Sequence, residues 1–235
     1  TETRNAKDAT CTEDGYTGDT YCLDCGELVT KGEVIEALGH NYENGTCTEC
    51  GKKLNPFTDV DAVIHQDFYD AILWAVEKGI TNGTGDGTTF DPNGKLQRAQ
   101  FVTMLWRAAG SPEPTTTVNP FTDVDAAKHA DFYKAILWAV ENGITTGTSD
   151  TEFDPHGVTN RAQAVTFLWR YLNKPDATAA NNFSDVDAGM WYEAPINWAV
   201  GAGVTNGMGG GIFGISLNCN RAQAVTFLYR AIGNK

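Results

Sequence analysis

The chain has few basic residues and no long apolar run, and both absences exclude classes of partner. Its 235 residues contain 17 Lys and Arg against 30 Asp and Glu, which gives a net charge of −13. Nucleic acids and anionic membranes require a basic surface, so neither is expected as the main partner. No apolar segment approaches the roughly 20 residues that a bilayer span needs, so no membrane insertion is expected. Any anionic ligand would have to be bound by local groups acting against the overall charge.

Signatures of catalysis are equally scarce. The chain has four His residues and contains no GxSxG, HExxH or phosphate-binding loop motif. Asp150, Glu152 and Asp154 suggest a calcium loop, but their spacing misses the EF-hand register and is more typical of turns. Acidic residues are plentiful, yet no pair of them is distinguished by its spacing. We therefore expect a non-enzymatic binding protein.

What the sequence does contain is one segment repeated three times. Each copy begins with the pattern F-[ST]-D-V, at Phe57, Phe121 and Phe183, so the copies are 64 and 62 residues apart. The segments 111–120 and 173–182 are rich in Pro, Thr and Asn and are typical of linkers. The predicted organisation is a first segment of residues 1–54, followed by repeats at residues 55–111, 118–174 and 181–235.

Each copy shows the pattern of two helices joined by a loop. In the first copy, Phe68, Ile72, Ala75 and Val76 are spaced so that they share one face of a helix. Gly79 then provides a left-handed C-cap, and a glycine has the same place in the other copies. Two helices cannot bury an apolar stripe on their own, so the copies must share a core. We expect a mainly α fold, a closed pseudo-threefold bundle of helix–loop–helix repeats with a small Cys-rich N-terminal segment of strands and loops.

The second helix of each copy opens with a characteristic tetrad. The tetrads are QRAQ, NRAQ and NRAQ, with arginine at the second place in each: Arg98, Arg161 and Arg221. Asn is a strong N-cap, and Gln three residues later can return a hydrogen bond to the backbone of the cap, which predicts a capping box. Gln97 is a poorer cap than Asn, so the first copy is the imperfect case.

The same pattern places a cation at the first position of each second helix. Such a charge opposes the helix macrodipole at a cost of up to about 1 kcal/mol. Free N–H groups of a helix N-terminus together with a guanidinium would form an anion site suited to carboxylate or phosphate. Alternatively, each arginine pairs with an acidic residue of the F-[ST]-D-V pattern, namely Asp59, Asp123 or Asp185. Both hypotheses can hold together if the aspartate orients the arginine.

These residues resemble the S-layer homology domain, over about three-quarters of the chain. The resemblance rests on F-[ST]-D-V, on A-V-x-x-G-[IV]-T at the end of the first helix, on the F-x-P loop and on the tetrad. It implies a three-pronged helical spindle whose grooves between repeats bind a secondary cell-wall polymer, often pyruvylated, without a covalent bond. The candidate ligand-binding residues are Arg98, Arg161, Arg221, Asp59, Asp123, Asp185, Gln100, Gln163 and Trp191.

The chain departs from the family pattern at several places. The tetrad of the family is usually T-R-A-E, whereas Gln replaces Glu in every copy here, and Gln cannot form an ion pair with Arg. The tryptophan early in the first helix is kept only as Trp191, with Asp67 and Asp131 near that position in the other copies. The third copy lacks the Asp-Pro of its loop, so we expect its groove to bind most weakly. Cys219 has the place of Leu96 and is expected to be a small buried apolar residue.

The function that the resemblance implies is anchoring of a bacterial surface protein to the cell wall through polysaccharide, in an extracellular location. Two alternatives stay open. The repeats could act structurally in a surface layer, through contacts with other protein copies, or they could form the C-terminal anchor of a larger secreted hydrolase. The first residues, TETRNAKDATC, lack an apolar signal stretch. Either a signal peptide has been removed or the chain is a fragment.

The first 54 residues differ in character from the repeats. They contain two CxxCG elements, one with Cys22 and Cys25 and one with Cys47 and Cys50, separated by 21 residues. Such a pair resembles a zinc ribbon, in which each turn directs two thiolates at one tetrahedral Zn²⁺. These four cysteines are the expected ligands of a structural zinc ion.

Two further residues and a second chemistry leave alternatives open. Cys11 and His40 are alternative ligands, which would give a mixed site. Disulfides would compete with zinc, because an exported chain meets an oxidising compartment. A redox-active CxxC is less favoured, since no thioredoxin-like pattern surrounds it. Either zinc or disulfides would hold together a segment with too few large apolar residues to fold alone.

Overall fold

The computed structural model describes residues 1–43, 46–178 and 180–233. The chain divides into two compact units, Thr1–Pro56 and Phe57–Lys235. Helices account for 28% of the residues and strands for 12%, so the expectation of a mainly α chain is met only in part. The expected end of the third repeat, residue 235, lies outside the described residues.

The first unit is built from short antiparallel strands. They are β1 (Glu2–Arg4), β2 (Gly15–Tyr16), β3 (Asp19–Tyr21), β4 (Leu28–Thr30), β5 (Val34–Ile35), β6 (Tyr42–Glu43) and β7 (Thr46–Cys47). Three strands form a sheet in the order β1-β3-β4, and β2 pairs with β5 and β6 with β7. Among its described residues, the buried apolar side chains are Cys11 and Cys47 alone. This unit therefore has thiols where other domains have a hydrophobic core.

The second unit contains the helices. They are α1 (Tyr69–Glu77), α2 (Arg98–Ala108), α3 (Ala130–Glu141), α4 (Arg161–Tyr171), α5 (Glu193–Gly201) and α6 (Arg221–Leu228), and a π-helical turn (Tyr229–Gly233) extends the last one. Each repeat thus has the expected helix, loop and helix. The left-handed C-cap of the first helix is confirmed in every repeat, with φ of 66° at Gly79, 64° at Gly143 and 70° at Gly203. Phe68, predicted within the first helix, lies at its N-cap position.

The helices of different repeats pack on one another. The second helix of one repeat contacts the first helix of the next: α2 packs on α3, α4 on α5, and α6 returns to α1. The second helices also contact each other, α4 lying against both α2 and α6. Their N-terminal halves are buried almost all round, which removes far more apolar surface from water than a single two-helix repeat could.

A ring of three backbone hydrogen bonds joins the repeats just before their second helices. The N–H of Leu96 donates to the carbonyl of Cys219 at 3.3 Å, that of Cys219 to Thr159 at 2.8 Å, and that of Thr159 to Leu96 at 2.8 Å. All three residues are fully buried. Cys219 therefore has the buried place expected of it, and its burial raises the pKa of its thiol to about 12.

The loop of the third repeat keeps its shape despite its different sequence. Asp91 and Asp154 adopt left-handed φ angles of 56° and 57°, and the equivalent Gly214 has φ of 82°. A Cβ atom at Gly157 would overlap the carboxylate of Asp154. In the third repeat, Gly214 replaces this Asp and Leu217 replaces this Gly. The larger side chain of the pair therefore belongs to the second position of the turn instead of the first. The missing Asp-Pro therefore leaves the backbone of the loop intact.

One member of the ring, Thr159, carries a buried hydroxyl without a hydrogen-bond partner among the described residues. Because an unsatisfied buried hydroxyl is costly, Thr159→Val is expected to leave the free energy of unfolding unchanged or to raise it by up to about 1 kcal/mol. Thr159→Ala, which also removes a methyl group, serves as the control and should be less stable than Thr159→Val. Urea denaturation measures both, and a clear loss of stability in Thr159→Val would contradict the assignment.

Candidate functional site

The three arginines of the tetrads are buried at the start of α2, α4 and α6. Only 3% of Arg98, 2% of Arg161 and 5% of Arg221 is exposed. In each, Nε donates to the carbonyl of a phenylalanine in another repeat. The pairs are Arg98 with Phe153 at 2.8 Å, Arg161 with Phe213 at 3.0 Å and Arg221 with Phe90 at 2.7 Å. Each arginine therefore reaches from its own repeat into the loop of the next.

Aromatic rings surround the same guanidinium groups. Arg98 lies 4.9 Å from the ring centre of Phe153 and 5.5 Å from that of Phe167. Arg161 likewise lies close to the centres of two rings, at 5.1 and 5.2 Å, and Arg221 lies 4.9 Å from the ring centre of Phe90. Burial lowers the pKa of each arginine, but a guanidinium keeps its charge at any physiological pH. Cation–π contacts offset part of the cost of burying that charge.

The predicted capping boxes are present in the second and third repeats. The side-chain oxygen of Asn160 accepts from the N–H of Gln163 at 2.8 Å, and Gln163 Oε1 accepts from the N–H of Asn160 at 3.1 Å. Asn220 and Gln223 repeat this exchange. In the first repeat, Gln100 Oε1 accepts from the N–H of Gln97 at 3.0 Å.

The expectation of free N–H groups at these helix ends is wrong. The N–H of Arg98 donates to the carbonyl of Gly157 at 2.8 Å, and that of Ala99 to Pro155 at 3.0 Å. The second and third repeats use carbonyls of the following loop in the same way: Arg161 with Leu217, Arg221 with Gly94 and Ala222 with Pro92. These carbonyls also offset the unfavourable placement of a cation in the helix dipole. The groups left for an anion are those of the guanidinium itself.

The aspartates of the F-[ST]-D-V pattern do not pair directly with these arginines. Among the described residues, no carboxylate lies within ion-pair distance of Arg98, Arg161 or Arg221. Asp123 instead accepts from the N–H of Phe153 at 2.9 Å and of Asp154 at 2.6 Å. Asp59 does the same for residues 90 and 91, and Asp185 for residues 213–215.

The aspartate and the arginine therefore contact each other only through a shared phenylalanine residue. The phenylalanine that donates its N–H to the aspartate accepts the Nε–H of the arginine at its carbonyl. In the second repeat, Asp123 holds the N–H of Phe153, and Arg98 holds the carbonyl of the same residue. The geometry gives Asp59, Asp123 and Asp185 a supporting place rather than one facing a ligand.

Three equivalent grooves, one on each repeat, lie next to these arginines. We name each groove after the repeat that supplies its loop and second helix, and its volume is about 550 Å³ in repeat 1, 400 Å³ in repeat 2 and 340 Å³ in repeat 3. The preceding repeat supplies the tetrad arginine, and the following repeat supplies residues from the start of its first helix. The tetrad arginines are Arg221 in groove 1, Arg98 in groove 2 and Arg161 in groove 3. Every groove is thus made by all three repeats.

A second arginine lines each groove and was not predicted from the sequence. Arg107, Arg170 and Arg230 line grooves 1, 2 and 3 from the far end of the second helix. Each donates from Nη1 to a carbonyl at the end of the first helix of its own repeat, at 3.3, 3.2 and 3.4 Å respectively. The signal for them is an aromatic–arginine pair, WR, WR or YR, whose arginine lies nine residues after the tetrad arginine in every copy. Each groove therefore carries two cations despite the acidic composition of the chain.

The grooves differ in the residue that the following repeat contributes from the start of its first helix. Groove 2 is lined there by Trp191, which is 53% exposed, whereas groove 1 has Asp131 and groove 3 has Asp67. Gln163 lies in groove 2 and Gln100 in groove 1. Because three repeats line each groove, no groove belongs to the third copy alone. The expectation that the groove of the third copy binds most weakly therefore cannot be assigned to a single groove. The divergent third copy contributes Trp191 to groove 2.

A separate cluster of metal-ligating residues lies in the first unit. The ligand atoms of Cys11, His40, Cys47 and Cys50 all lie within 4.8 Å of one another, and the group could hold a metal ion. Burial raises the pKa of Cys11 to about 12, whereas the N–H of Cys50 is the main cause that lowers the pKa of Cys47 to about 6. Of the four ligands expected from the two CxxC elements, Cys47 and Cys50 belong to this group, whereas Cys22 and Cys25 do not. The alternatives Cys11 and His40 complete it, because the fold of the chain brings residues 11 and 40 to the second element.

Comparison with known proteins identifies the family. The S-layer homology domain matches the chain three times, at residues 56–102, 120–165 and 182–225. These segments make up more than half of the chain, which therefore belongs to the S-layer homology domain family, as its motifs predict. Domains of this family anchor surface proteins to the cell wall. The chain is accordingly a cell-surface or cell-wall protein. In the part of the chain that the structure describes, no helix has the length and apolarity to cross a membrane.

Its relatives include surface proteins and hydrolases. The chain is 36% identical over 122 residues to a cell surface protein of Thermoanaerobacter kivui, covering 49% of this chain and 16% of that protein. It is 28% identical over 162 residues to an S-layer protein of Bacillus licheniformis, covering 68% and 18%. An endoglucanase of Bacillus sp. (strain KSM-635) is 36% identical over 115 residues, covering 49% and 11%. The chain thus spans less than a fifth of each of these proteins.

The supporting aspartates give a testable pH dependence. Burial raises the pKa of Asp185, but the N–H donors of residues 213–215 outweigh it and leave the pKa below its ordinary value. Asp185→Asn is expected to lower the free energy of unfolding at pH 7 by about 1–3 kcal/mol, because one oxygen replaces two as acceptor. A lowered pKa stabilises the fold above the unfolded value of about 4, so the gap between wild type and variant should narrow as the pH falls below it.

Denaturation curves at several pH values measure this difference. The exposed Asp187, two residues further along, provides the control Asp187→Asn, which should change stability little. A gap that widens at low pH would contradict the assignment.

Proposed function

We propose that the second unit anchors its protein to the cell wall, without catalysis, by binding an anionic secondary cell-wall polysaccharide in its grooves. The observation that carries the proposal is the incomplete hydrogen bonding of the Arg98 guanidinium. Its Nε is engaged by Phe153, while its Nη2 is buried in the wall of groove 2 without a hydrogen-bond partner among the described residues. A carboxylate such as that of a ketal-linked pyruvate would satisfy this donor with a charge-assisted hydrogen bond.

The remaining lining of the grooves suits a sugar. Groove 2 presents the hydroxyl-bearing and glycine residues of the loop 145–148, together with Gln163 and Thr166. Hydroxyl and amide groups match the hydrogen-bonding capacity of a saccharide, and the exposed indole of Trp191 offers an apolar face for its ring. Arg170 adds a second cation at the other end of the same groove.

The three grooves are unequal, and groove 2 is the primary site. In groove 3, Nη2 of Arg161 already donates to Thr205 at 3.2 Å, and in groove 1, Nη2 of Arg221 donates to the carbonyl of Gly83 at 3.3 Å. These grooves also carry Asp67 and Asp131, whose negative charges repel an anionic ligand. Groove 2 combines an unsatisfied donor with an aromatic residue in place of the carboxylate.

The arrangement of the repeats follows from the contacts between their helices and from the ring of backbone hydrogen bonds. We infer a closed pseudo-threefold bundle, because the last repeat returns to the first both through α6 and α1 and through the ring of hydrogen bonds at Leu96, Thr159 and Cys219. The helices then lie in this second unit, and the strands lie in the first unit.

The relatives indicate what kinds of protein such a segment could anchor. Endoglucanase and S-layer proteins share this segment while most of their length lies outside it. We propose that the segment serves as an anchor for cargo of either kind, a hydrolase or a surface-layer protein. An alternative is a structural role in which the repeats contact other protein copies, and binding to purified wall polymer free of protein separates it from anchoring.

The first unit has a structural role in this scheme. With two buried thiols and no larger buried apolar side chain among its described residues, it lacks a core of its own. We propose that a zinc ion held by its Cys and His group replaces that core, since thiolate and imidazole are the ligands that zinc prefers.

Binding to purified cell-wall polymer tests the anchoring proposal. The variant Arg98→Ala/Arg161→Ala/Arg221→Ala is expected to lose at least about 100-fold in affinity, because each charged hydrogen bond contributes about 1.5–3 kcal/mol. Removing the pyruvate from the polymer by mild acid should weaken wild-type binding to the same level. Sedimentation with the polymer measures both.

A matched variant guards against loss of folding. Arg107→Gln/Arg170→Gln/Arg230→Gln removes the second cation of each groove, while the tetrad arginines keep their contacts with the phenylalanine carbonyls. Circular dichroism establishes that each variant is folded. Undiminished binding by either folded variant, or equal binding to polymer without pyruvate, would overturn the proposed ligand.

The ranking of the grooves has its own test. Trp191→Ala is expected to lower the affinity of the strongest site about tenfold through lost stacking, as measured by titration calorimetry with a polymer fragment. Met190→Ala is the matched control, since Met190 is 45% exposed and does not line a groove. Asp131→Asn should strengthen a weaker site. An affinity unaffected by Trp191→Ala would place the primary site elsewhere.

A further inference from the structure

The ligand atoms of Cys11, His40, Cys47 and Cys50 lie close enough together to surround one metal ion. The Sγ atoms of Cys11 and Cys47 are 3.8 Å apart, and Sγ of Cys50 lies 3.5 Å from Nδ1 of His40. Zinc bonds of about 2.3 Å to sulfur and 2.0–2.1 Å to nitrogen, at tetrahedral angles, require S···S and S···N separations of about 3.8 and 3.6 Å. A disulfide would instead require sulfur atoms about 2.05 Å apart.

The backbone builds this cluster from three separate segments. Cys47 and Cys50 form a tight turn in which the N–H of Gly51 donates to the carbonyl of Cys47 at 2.9 Å. The N–H of Leu38 donates to the carbonyl of Thr10 at 2.9 Å, and this bond brings the segment before His40 next to Cys11. The cluster therefore brings together residues from positions 11 to 50, which span most of the unit.

The other CxxC element has the same local structure but no further ligands. The N–H of Gly26 donates to the carbonyl of Cys22 at 2.9 Å, as Gly51 does to Cys47, and the two glycines have φ of 74° and 72°. No His or third Cys of the described residues joins Cys22 and Cys25 in a metal-binding group. Local turn geometry is thus equal in the two elements, and only one of them is completed by the fold.

We propose that Cys11, His40, Cys47 and Cys50 form a closed Cys₃His site for one Zn²⁺, and that Cys22 and Cys25 are not ligands. The assignment rests on the structural zinc proposed for this unit and specifies where it lies. Four protein ligands leave no open coordination position, so the ion is structural and takes no part in catalysis. Because the cluster replaces a hydrophobic core, zinc binding and folding of this unit are coupled.

The two CxxC elements give a matched pair of variants for the test. The full chain is purified with its thiols kept reduced, and zinc is measured by elemental analysis. Wild type and Cys22→Ser/Cys25→Ser are expected to hold one zinc ion per chain, whereas Cys47→Ser/Cys50→Ser should hold none. Cys11→Ser and His40→Ala should each lower the zinc affinity by more than about 100-fold, since each removes a direct ligand.

Cobalt substitution gives an independent readout of the ligand set. Tetrahedral Co²⁺ bound to three thiolates and one imidazole has visible and charge-transfer absorption distinct from that of a four-thiolate site. Loss of metal in Cys22→Ser/Cys25→Ser with retention in Cys11→Ser, or a four-thiolate spectrum, would overturn the ligand set while leaving zinc in place. A wild-type chain that holds no zinc under these conditions would overturn the structural zinc as well. Polymer binding, measured on the same samples, reports separately on the grooves.

Discussion

The second unit depends on a buried cation that is held without a carboxylate. Each tetrad arginine donates from Nε to a phenylalanine carbonyl of the next repeat and lies against that ring, and the same phenylalanine is held at its N–H by an aspartate. Removing a charge from water is expensive, and an ion pair would neutralise it. Here the compensation comes from neutral hydrogen-bond acceptors, one for Arg98 and two each for Arg161 and Arg221, and from aromatic rings. The positive field of the guanidinium therefore survives at the wall of a groove. The contact that joins two repeats also places a cation at the wall of a groove.

Features set by nearby residues followed from the sequence, whereas features set by distant ones did not. The glycine caps, the Asn–Gln capping boxes, the helix–loop–helix repeat and the buried slot of Cys219 all depend on residues a few positions apart or on simple equivalence between copies. The partners of Arg98 and Arg221 lie 55 and 131 positions away. Nothing local indicates that carbonyls from another loop satisfy the N–H groups at the helix ends. For the same reason the two CxxC turns predicted Cys47 and Cys50 and the alternatives Cys11 and His40, but not that these four residues come together without Cys22 and Cys25. That choice depends on the residues that the fold brings beside each turn.

The divergence of the third repeat is of two kinds. In its loop, the exchange of Asp and Gly for Gly214 and Leu217 preserves the left-handed turn, so the carbonyl of Phe213 stays where Arg161 needs it. At the start of its first helix, Trp191 introduces an exposed aromatic side chain where the other repeats carry Asp67 and Asp131. The first change maintains the framework and the second alters the lining of a groove. A repeat that looks degenerate in sequence is therefore the one that distinguishes groove 2 from its neighbours.

The sharing of each groove among three repeats constrains how the valency of the anchor can change. In a linear array, each added or deleted repeat would add or remove one site, and avidity could be adjusted in steps. Here the ring through Leu96, Thr159 and Cys219 closes the set at three, and loss of any repeat opens all three grooves at once. Under the proposed function, the number of contacts with the wall can then be adjusted only by changing side chains within grooves that are always present together, or by duplicating the whole unit.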